Sequence, residues 1–559
     1  MMDANSPCKI RLAAFLAIAM LALGTAGCGG SDGDTGPAGA AGADGVDGTD
    51  GSDGNNGINC WDLNENGVPD FPDEDLNGDG VVDVLDCNAN VGDDVGVIEQ
   101  FHSDYFAENS YSGTGDCLRC HGAIADEILT TGHWNWDGIS AGIEGKEGEI
   151  HGKTDIINNF CIAISTNEPR CTQCHIGYGY EDKNFDFSNR EAIDCLVCHD
   201  QTGTYVKDKK TAGRPPPTLD LNPIAQSVAM ADGIPSRKNC LACHAKAGGG
   251  DNVKHGDLST AMVATTRDYD VHMGTDGGNL QCVTCHEVQR DANDNLMSHG
   301  IGGMVVHSVD EGVMKDCTDC HGDQTNIHAG TSVENLLTPH GDRLACQVCH
   351  IPTFAREKPT KTFWDWSTAG QDIPPEEIPI DPDTGMPLYD KMKGTFEWAN
   401  DVRPALLYYD HKWEKAIENA DDVFTETPVS LGKPSADYTT AEAKIYPFKK
   451  MIGKQVADAN NNTMLVPHLF GMKGGPNPYW VFYDWDLALQ DGAAYTGQTY
   501  SGAYQFVETD MYLTVNHEVA PKEMAYGMDG DCLDCHRGDQ IDWTALGWDA
   551  DPFEGGTRP

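Results

Sequence analysis

The stretch Cys171-Thr172-Gln173-Cys174-His175 carries the pattern that decides the fold, because Cys-x-x-Cys-His recurs along the chain. The 559-residue sequence contains eight copies, which take up 16 of its 21 cysteines. Repetition on this scale is not a product of chance pairing. The motif residues are Cys117, Cys120, His121, Cys171, Cys174, His175, Cys195, Cys198, His199, Cys240, Cys243, His244, Cys282, Cys285, His286, Cys317, Cys320, His321, Cys346, Cys349, His350, Cys532, Cys535 and His536.

Each motif has the spacing that attaches one c-type haem. Two thiols three residues apart on a helical turn reach the two vinyl groups of a haem, and the adjacent histidine faces the iron as proximal ligand. A zinc site or a thioredoxin-like motif does not require histidine after every second cysteine. We therefore predict a multihaem cytochrome c fold of mostly short α-helices and irregular loops wrapped around eight covalently bound haems, with little β-structure.

Histidines outside the motifs are available as second axial ligands. The chain has 20 histidines, so twelve remain after the eight proximal ones, and at least four of these are not expected to bind iron. Two histidine ligands give a low-potential electron-transfer haem without an open position. His411 lies among charged residues and is expected to be solvated. The distal candidates are His102, His133, His255, His272, His299, His307, His340 and His517.

The N-terminus reads as an export signal followed by a tether. In residues 1–28, Lys9 and Arg11 precede an apolar run, and small residues precede Cys28, as in a bacterial lipoprotein signal. Thr25 stands where leucine is usual, so ordinary secretory cleavage is the alternative. We expect an exported, periplasmic or outer-membrane or cell-surface lipoprotein of a bacterium. Residues 29–58 repeat glycine at every third position with one proline, which favours a flexible acidic tether over a collagen triple helix.

Residues 59–90 contain two loops of one pattern, enclosed by Cys60 and Cys87. Oxygen-bearing residues fall at loop positions 1, 3, 5, 9 and 12 with glycine at position 6, the spacing of a calcium loop. The loops resemble those of dockerins and thrombospondin type 3 repeats; a solvated acidic linker is the alternative. We expect Ca²⁺ here and a Cys60–Cys87 disulfide. The candidate calcium ligands are Asp62, Asn64, Asn66, Asp70, Asp73, Asp75, Asn77, Asp79, Asp83 and Asp86.

Charge and hydropathy exclude several classes of partner. The chain has 37 Lys+Arg against 88 Asp+Glu, a net charge of −51, which argues against nucleic acid or an anionic membrane surface. Beyond the first 30 residues, no apolar run is long enough to span a bilayer as a helix.

Residues 91–545 form the expected cytochrome domain, and 546–559 a tail. Within the domain, the haem-free interval 351–531 is expected to be irregular loops and short helices over the haems, with an independent accessory domain as the alternative.

Five segments resemble the octahaem tetrathionate reductase family: IINNFCI at 156–162, CTQCHIGYGY at 171–180, DCLVCHD at 194–200, GGGDNVKHGD at 248–257 and CQVCHIPT at 346–353. The resemblance covers about residues 100–540. In that family, the second haem along the chain carries a distal lysine and is catalytic, and the others are bis-histidine wires. The resemblance implies that Cys171, Cys174 and His175 hold this haem, that Lys254 is its distal ligand, and that Asp251 and Cys161 lie beside it.

These residues suit a reductase. An amine ligand exchanges more readily than imidazole, Asp251 would orient the ammonium or shuttle protons, and Cys161 would meet a sulfur substrate by thiol–disulfide chemistry. From the residues alone, a solvated lysine and a buried cysteine are the alternatives. The favoured function is reduction of a small sulfur or nitrogen oxyanion, such as tetrathionate or nitrite, or of hydroxylamine. Electron conduction without a substrate, and oxidation of hydroxylamine or hydrazine, are the other two hypotheses.

Partners follow from this function. We expect a redox partner cytochrome or quinol-linked electron donor and a small inorganic substrate, and the sequence leaves the oligomeric state open. No Cys-x-x-Cys-Lys motif is present, which removes close kinship with the pentahaem nitrite reductases. Because the overall charge is strongly negative, an anionic substrate requires a local basic entrance to its pocket.

Overall fold

The structure is a computed structural model of the chain. It describes residue 102 and residues 104–558, except 229–234, 287, 291–295, 303–313, 323–326, 332–333, 335–339, 342, 419–421, 472, 528–531 and 539–540. The predicted signal, tether and calcium module lie outside the described residues, as do Cys60, Cys87 and the candidate ligand His307. Those expectations stay predictions.

Short helices carry the Cys-x-x-Cys-His motifs. The described helices are α1 Thr114–Ile128, α2 Glu168–Cys171, α3 Leu196–His199, α4 Asn222–Ser227, α5 Arg237–His244, α6 Cys282–Cys285, α7 Cys317–His321, α8 Cys346–His350, α9 Tyr479–Phe482 and α10 Trp485–Thr496. The second motif continues from α2 into a 3₁₀ turn, Thr172–Cys174, and the last motif lies on another, Cys532–Asp534. A single helical turn brings residues i and i+3 to the same side, which is what both cysteines of a motif need.

Local sequence explains why such short helices form. A reciprocal capping box joins Asp316 to Asp319 at the start of α7, and Gly322 ends this helix with a φ of 70°. A second capping box joins Ser236 to Asn239 at the start of α5. These caps satisfy backbone donors that a helix of one or two turns would otherwise leave unpaired.

The interval 351–531 is built around a sheet, so the prediction of little β-structure is wrong. The described strands are β1 Asp137–Ile139, β2 Ile150–Gly152, β3 Val288–Arg290, β4 Leu296–Ile301, β5 Thr360–Asp365, β6 Tyr389–Asp390, β7 Gly394–Ala399, β8 Ala405–Tyr409, β9 Trp413–Lys415, β10 Val429–Pro434, β11 Lys444–Asp458 and β12 Tyr504–Thr514. Eight of them form one sheet in the order β6-β7-β5-β11-β12-β10-β9, with β8 also paired to β11. The pairs β1–β2 and β3–β4 are separate hairpin-like ladders.

The central strand β11 shows why the sequence pattern did not predict this sheet. It pairs antiparallel with β12 from Phe448↔Thr514 to Asp458↔Tyr504, and parallel with β5. Most of its residues are buried, including the charged Lys449 and Asp458. A strand covered on both faces lacks the alternation of apolar and polar residues that marks a half-exposed strand.

The main core joins the sheet to two loops that carry candidate site residues. Trp364 and Trp366 are fully buried and stack with ring centroids 5.0 Å apart. Phe160 and Val253, from the loops at 156–163 and 248–257, belong to the same buried cluster. The Trp366 indole donates to the Phe160 carbonyl at 3.0 Å. The sheet therefore fixes both loops against each other. Within the described part of the chain, no helix has the length and apolar character needed to cross a membrane.

Candidate functional site

Seven of the eight motif histidines face a second histidine ring. The ring centroids of each pair lie 5.8 to 6.3 Å apart. The pairs are His121 with His102, His199 with His299, His244 with His133, His286 with His517, His321 with His272, His350 with His328, and His536 with His340.

This separation fits an iron atom between the two rings. A metal–imidazole bond is about 2 Å long, so two imidazoles on opposite sides of one metal place their ring centroids about 6 Å apart. Direct stacking of the two rings on each other would bring them closer. The histidine pairs are therefore compatible with the two axial positions of a haem attached at each adjacent motif.

Sequence reasoning identified most of these partners. Six of the predicted distal candidates, all except His255 and His307, stand opposite a motif histidine. His328 was missed; it faces His350, and nothing in its local sequence distinguishes it from the other free histidines. His255 instead lies beside Lys254, and burial together with the Lys254 charge lowers its pKa to about 3. His411 is exposed, with a left-handed φ of 68°.

His175, in the second motif, has different surroundings. Its side chain is 0% exposed, and no histidine ring in the described ranges pairs with it. Its Nε2 donates to the Trp134 carbonyl at 2.7 Å, and its Nδ1 accepts from the Gly177 amide at 3.1 Å. Burial lowers its pKa to about 3, so the ring is neutral. Iron binding by Nε2 requires the ring to leave the Trp134 carbonyl.

Aromatic rings and a buried ion pair hold this motif. Five rings surround His175 with centroids 5.0 to 6.1 Å away: Trp134, Trp136, Tyr180, Phe185 and Phe187. Lys207 Nζ donates to the His175 carbonyl at 2.6 Å and pairs with Asp194 Oδ2 at 3.0 Å. Sequence reasoning missed these residues; the clustered aromatics Trp134, Trp136, Phe185 and Phe187 were the available signal.

Lys254 stands on a tight loop beside the second motif. Its amide donates to the Ala247 carbonyl, and a Cβ at Gly248, which has a φ of 78°, would lie 3.0 Å from the Lys254 Cβ. Glycine therefore permits the close turn that presents this lysine. Burial, and then the positive charge of Lys153, lower the pKa of Lys254 to about 8, while Cys174 acts in the opposite direction. The ammonium thus lies within electrostatic range of Cys174, a cysteine of the motif whose histidine faces no second histidine among the described residues.

The other two predicted catalytic residues are already engaged. Asp251 accepts hydrogen bonds from the Thr260 amide at 2.9 Å and from the Thr260 hydroxyl at 2.5 Å. Cys161 packs against the main core and is disulfide-bonded. A thiol role for Cys161 therefore requires prior reduction of this disulfide. The catalytic roles of Asp251 and Cys161 stay predictions.

Cysteines of neighbouring motifs lie close to one another. The cysteine side chains of four pairs of motifs lie within hydrogen-bonding reach: Cys117 with Cys195, Cys174 with Cys243, Cys240 with Cys282, and Cys317 with Cys346. Three further pairs are close enough for their charges to interact: Cys198 with Cys243, Cys285 with Cys320, and Cys349 with Cys535. These contacts link all eight motifs into one array. The second motif joins it through Cys174 and the fourth motif.

Comparison with known proteins gives matches over much of the chain. A crystal structure of octaheme cytochrome c from Shewanella oneidensis is 38% identical, with a TM-score of 0.69, and the match covers 81% of this chain and 98% of that one. A family model described as bacterial cytochrome c matches residues 361–539, which include β6 to β12 and the last motif.

Two curated relatives are more distant. An uncharacterized protein of Archaeoglobus fulgidus is 26% identical over 250 residues, which are 35% of this chain and 82% of that protein. The C-type polyheme cytochrome OmcB of Geobacter sulfurreducens is 24% identical over 272 residues, which are 46% of this chain and 32% of the relative. The match to OmcB thus spans about a third of that protein's length.

Proposed function

Because this chain belongs to the octahaem cytochromes c of the tetrathionate reductase family, we propose that it is an exported reductase. It is a multihaem cytochrome c, and c-type haems attach at its Cys-x-x-Cys-His motifs. In the proposal, electrons pass through bis-histidine haems to a lysine-ligated haem at Cys171, Cys174 and His175. That site reduces a small sulfur or nitrogen oxyanion, with tetrathionate, nitrite and hydroxylamine as the substrates to test.

The proposal rests on one observation: the second motif differs from the other seven in what its histidine faces. A motif histidine with a second imidazole about 6 Å away leaves no axial position for a substrate. Seven motifs have that arrangement, and the second motif has Lys254 nearby instead. A reductase needs one haem that can exchange a ligand and several that cannot, and this distribution supplies both.

The protein's own residues prepare the site. When bound, a haem held by Cys171, Cys174 and His175 would supply a redox-active iron. Lys254 is presented by a loop anchored to the sheet, since Lys449 Nζ donates to the Val253 carbonyl at 2.6 Å. Lys207 holds the chain after His175, and the aromatic rings around His175 exclude water from that side. Asp251 would act on a proton only after release from Thr260.

Spectroscopy of the purified haem-loaded protein tests this proposal. Low-temperature electron paramagnetic resonance and resonance Raman spectra should show one haem distinct from the bis-histidine set. Lys254→Ala should change that haem selectively and lower turnover with reduced methyl viologen as donor. A His411→Ala variant is the control, because His411 is exposed and stands opposite no motif histidine. A uniform set of bis-histidine haems, unchanged in Lys254→Ala, would overturn the reductase.

A second candidate function is electron conduction without a substrate. The continuous array of neighbouring motifs favours it, as does exposure of motif residues such as Cys120 and Cys320 at the surface. The resemblance to a polyheme cytochrome also supports it. The uniform spectra described above would select the conduit. Turnover assays run in the oxidative direction separate the reductase from oxidation of hydroxylamine or hydrazine.

We extend the proposal to the N-terminal segments and partners. Residues 1–28 direct export with lipidation at Cys28, 29–58 tether the protein, and 59–90 bind Ca²⁺. A cytochrome or quinol-linked donor supplies the electrons. The mass of the mature N-terminus and calcium titration of residues 59–90 within the full chain test the first three assignments.

A further inference from the structure

We propose that the buried ion pair between Lys207 and Asp194 makes the haem at the second motif easier to reduce than the haem at the third. This inference deepens the proposed function and rests on it, because it concerns how electrons reach the site at Cys171–His175. It assigns a positioning and electrostatic role to two residues outside the Cys-x-x-Cys-His motifs.

Lys207 binds the backbone of the second motif. Its Nζ donates to the His175 carbonyl at 2.6 Å and to the Gly177 carbonyl at 3.3 Å. It also pairs with Asp194 Oδ2 at 3.0 Å, and only 7% of the Lys207 side chain is exposed. A lysine ammonium has three N–H donors, and these contacts use all three. The positive charge is therefore held in one place, directly against the residue that supplies the motif histidine.

Asp194 binds the third motif, which it directly precedes in the chain. Its side chain is 0% exposed, and its Oδ1 accepts from the Val197 amide in α3 at 3.2 Å. The carboxylate also accepts from the hydroxyls of Tyr178 at 2.8 Å and Tyr205 at 2.6 Å. With Lys207, these donors match the four lone-pair sites of a carboxylate, so the negative charge is held in place as well.

The backbone keeps the two motifs side by side. The Asp194 amide donates to the Ile176 carbonyl at 2.7 Å, and the Tyr178 amide donates to the Ala192 carbonyl at 2.7 Å. The chain that leaves the second motif thus runs antiparallel to the chain that enters the third. The positive end of the ion pair therefore lies on the second motif and the negative end on the third.

The seventh motif shows a neutral alternative to this contact. There the His350 carbonyl accepts from the Ala520 amide at 2.8 Å, a backbone donor without net charge. The carbonyl of a motif histidine can therefore be satisfied without a lysine. Burying two charges costs desolvation energy that a neutral hydrogen bond avoids, so a buried ion pair is weak evidence for stability. Its placement at the second motif indicates an electrostatic role instead.

A charge held beside a haem shifts the reduction equilibrium of that haem. Reduction by one electron, supplied by the proposed cytochrome or quinol-linked donor, removes one unit of positive charge from the haem. A nearby cation therefore favours the reduced form, and a nearby anion favours the oxidised form. Because both side chains are shielded from water, salt screens them weakly. Lys207 contacts the second motif and Asp194 the third, so electrons in the array are drawn toward the second.

Redox titration of haem-loaded full-length variants tests the ion pair. The second haem is followed by its distinct electron paramagnetic resonance signal as the potential is varied. Lys207→Met should make its reduction equilibrium constant about tenfold smaller, and Asp194→Asn about tenfold larger. Tenfold corresponds to about 59 mV for one electron. The double variant leaves neither charge buried alone, and its constant should lie between those of Lys207→Met and wild type.

Two control variants separate charge from packing. Tyr205→Phe removes one donor to the same carboxylate without changing any charge, and it should shift the constant by less than about twofold. Lys433→Met removes an exposed lysine that pairs with Glu414 at 3.2 Å, and it should have as small an effect. A merely structural role for the ion pair would move Lys207→Met and Asp194→Asn in the same direction.

The outcomes separate this inference from the reductase itself. If no substrate is turned over but the two single variants shift the titration in opposite directions, the reductase is wrong and the role of the ion pair stands. If Lys254→Ala changes the second haem and lowers turnover, while Lys207→Met and Asp194→Asn shift its potential alike or not at all, this inference is overturned. If all haems give one spectrum, the optical titration decides: opposite displacement of one component supports the ion pair, and its absence overturns it.

Discussion

The motif at Cys171–His175 and the motif at Cys117–His121 have the same spacing of cysteine and histidine and very different surroundings. His121 is exposed on α1, and the His102 ring lies parallel to it at 5.8 Å. His175 is fully enclosed by aromatic rings, hydrogen-bonds to backbone through both nitrogens, and has a lysine in its neighbourhood. The motif thus determines attachment of a haem, and the surroundings determine what the attached haem can do.

The largest effect should be the loss of turnover when the second motif is given a distal histidine like the other seven motifs. Lys254→His supplies an imidazole where an amine now stands, and the site should become another bis-histidine haem. Imidazole is the less exchangeable ligand, so turnover should fall by about two orders of magnitude or more, the scale of removing one positioned catalytic group. Assays with reduced methyl viologen and electron paramagnetic resonance spectra measure both changes. Full activity with an unchanged spectrum would show that Lys254 is not an axial ligand.

The next effect is on stability. Removing an aromatic ring beside the enclosed His175 should destabilise the protein more than removing one beside His536. Trp134 is 0% exposed, contacts His175, and donates its indole N–H to the Phe187 carbonyl at 2.8 Å. Trp134→Ala should cost about 3–5 kcal/mol of unfolding free energy, because it leaves a cavity and an unpaired carbonyl. Urea denaturation followed by haem absorption measures this.

The control variant changes Phe553, an exposed aromatic ring that also contacts a motif histidine. Phe553 is 50% exposed and lies 5.3 Å from the His536 ring. Phe553→Ala should cost about 1 kcal/mol or less. Equal losses in Trp134→Ala and Phe553→Ala would show that enclosure does not distinguish the second motif.

The smallest effect is a pH dependence of stability that comes from the buried acid Glu418. Burial, aided by the negative charges of Asp155 and Glu168 and opposed by a hydrogen bond with Ser165, raises the pKa of Glu418 to about 8. The folded protein therefore binds more protons than the unfolded chain between the ordinary glutamate pKa and pH 8. Stability from this group is present at low pH and is lost as pH rises through that window.

Glu418→Gln should remove this pH dependence, because the amide does not titrate. The variant should be as stable as wild type near pH 5 and more stable at pH 8, as measured by thermal unfolding. Glu414→Gln, on the exposed side of β9, should leave the wild-type slope unchanged. A wild-type slope that persists in Glu418→Gln would contradict the assignment.

The sheet shows where sequence reasoning failed and why. Residues 444–458 contain Pro447, Lys449, Lys450 and Gly453, a composition that argues against a strand. Tertiary contacts overcome it: Lys449 is buried because its Nζ donates to the Val253 carbonyl and the Thr360 hydroxyl, both at 2.6 Å. A pattern based on hydropathy cannot anticipate a lysine whose charge is satisfied by loops distant in sequence.

The distal histidines likewise could not all be assigned from the sequence. Six distal candidates stand opposite motif histidines, whereas His328 was missed and His255 has no facing ring among the described residues. A second ligand is defined only by its position across a haem. His517 follows β12 and reaches His286 from far along the chain, so only the folded backbone assigns it.

The sequence by itself determined the chemistry of attachment, because both cysteines and the histidine of each motif lie within one helical turn and need no distant residue. It also determined the family, through segments that surround those motifs. Only the tertiary structure decided which histidines face each other and that the haem-free interval is a sheet. Those properties depend on residues remote in sequence, which packing alone brings together.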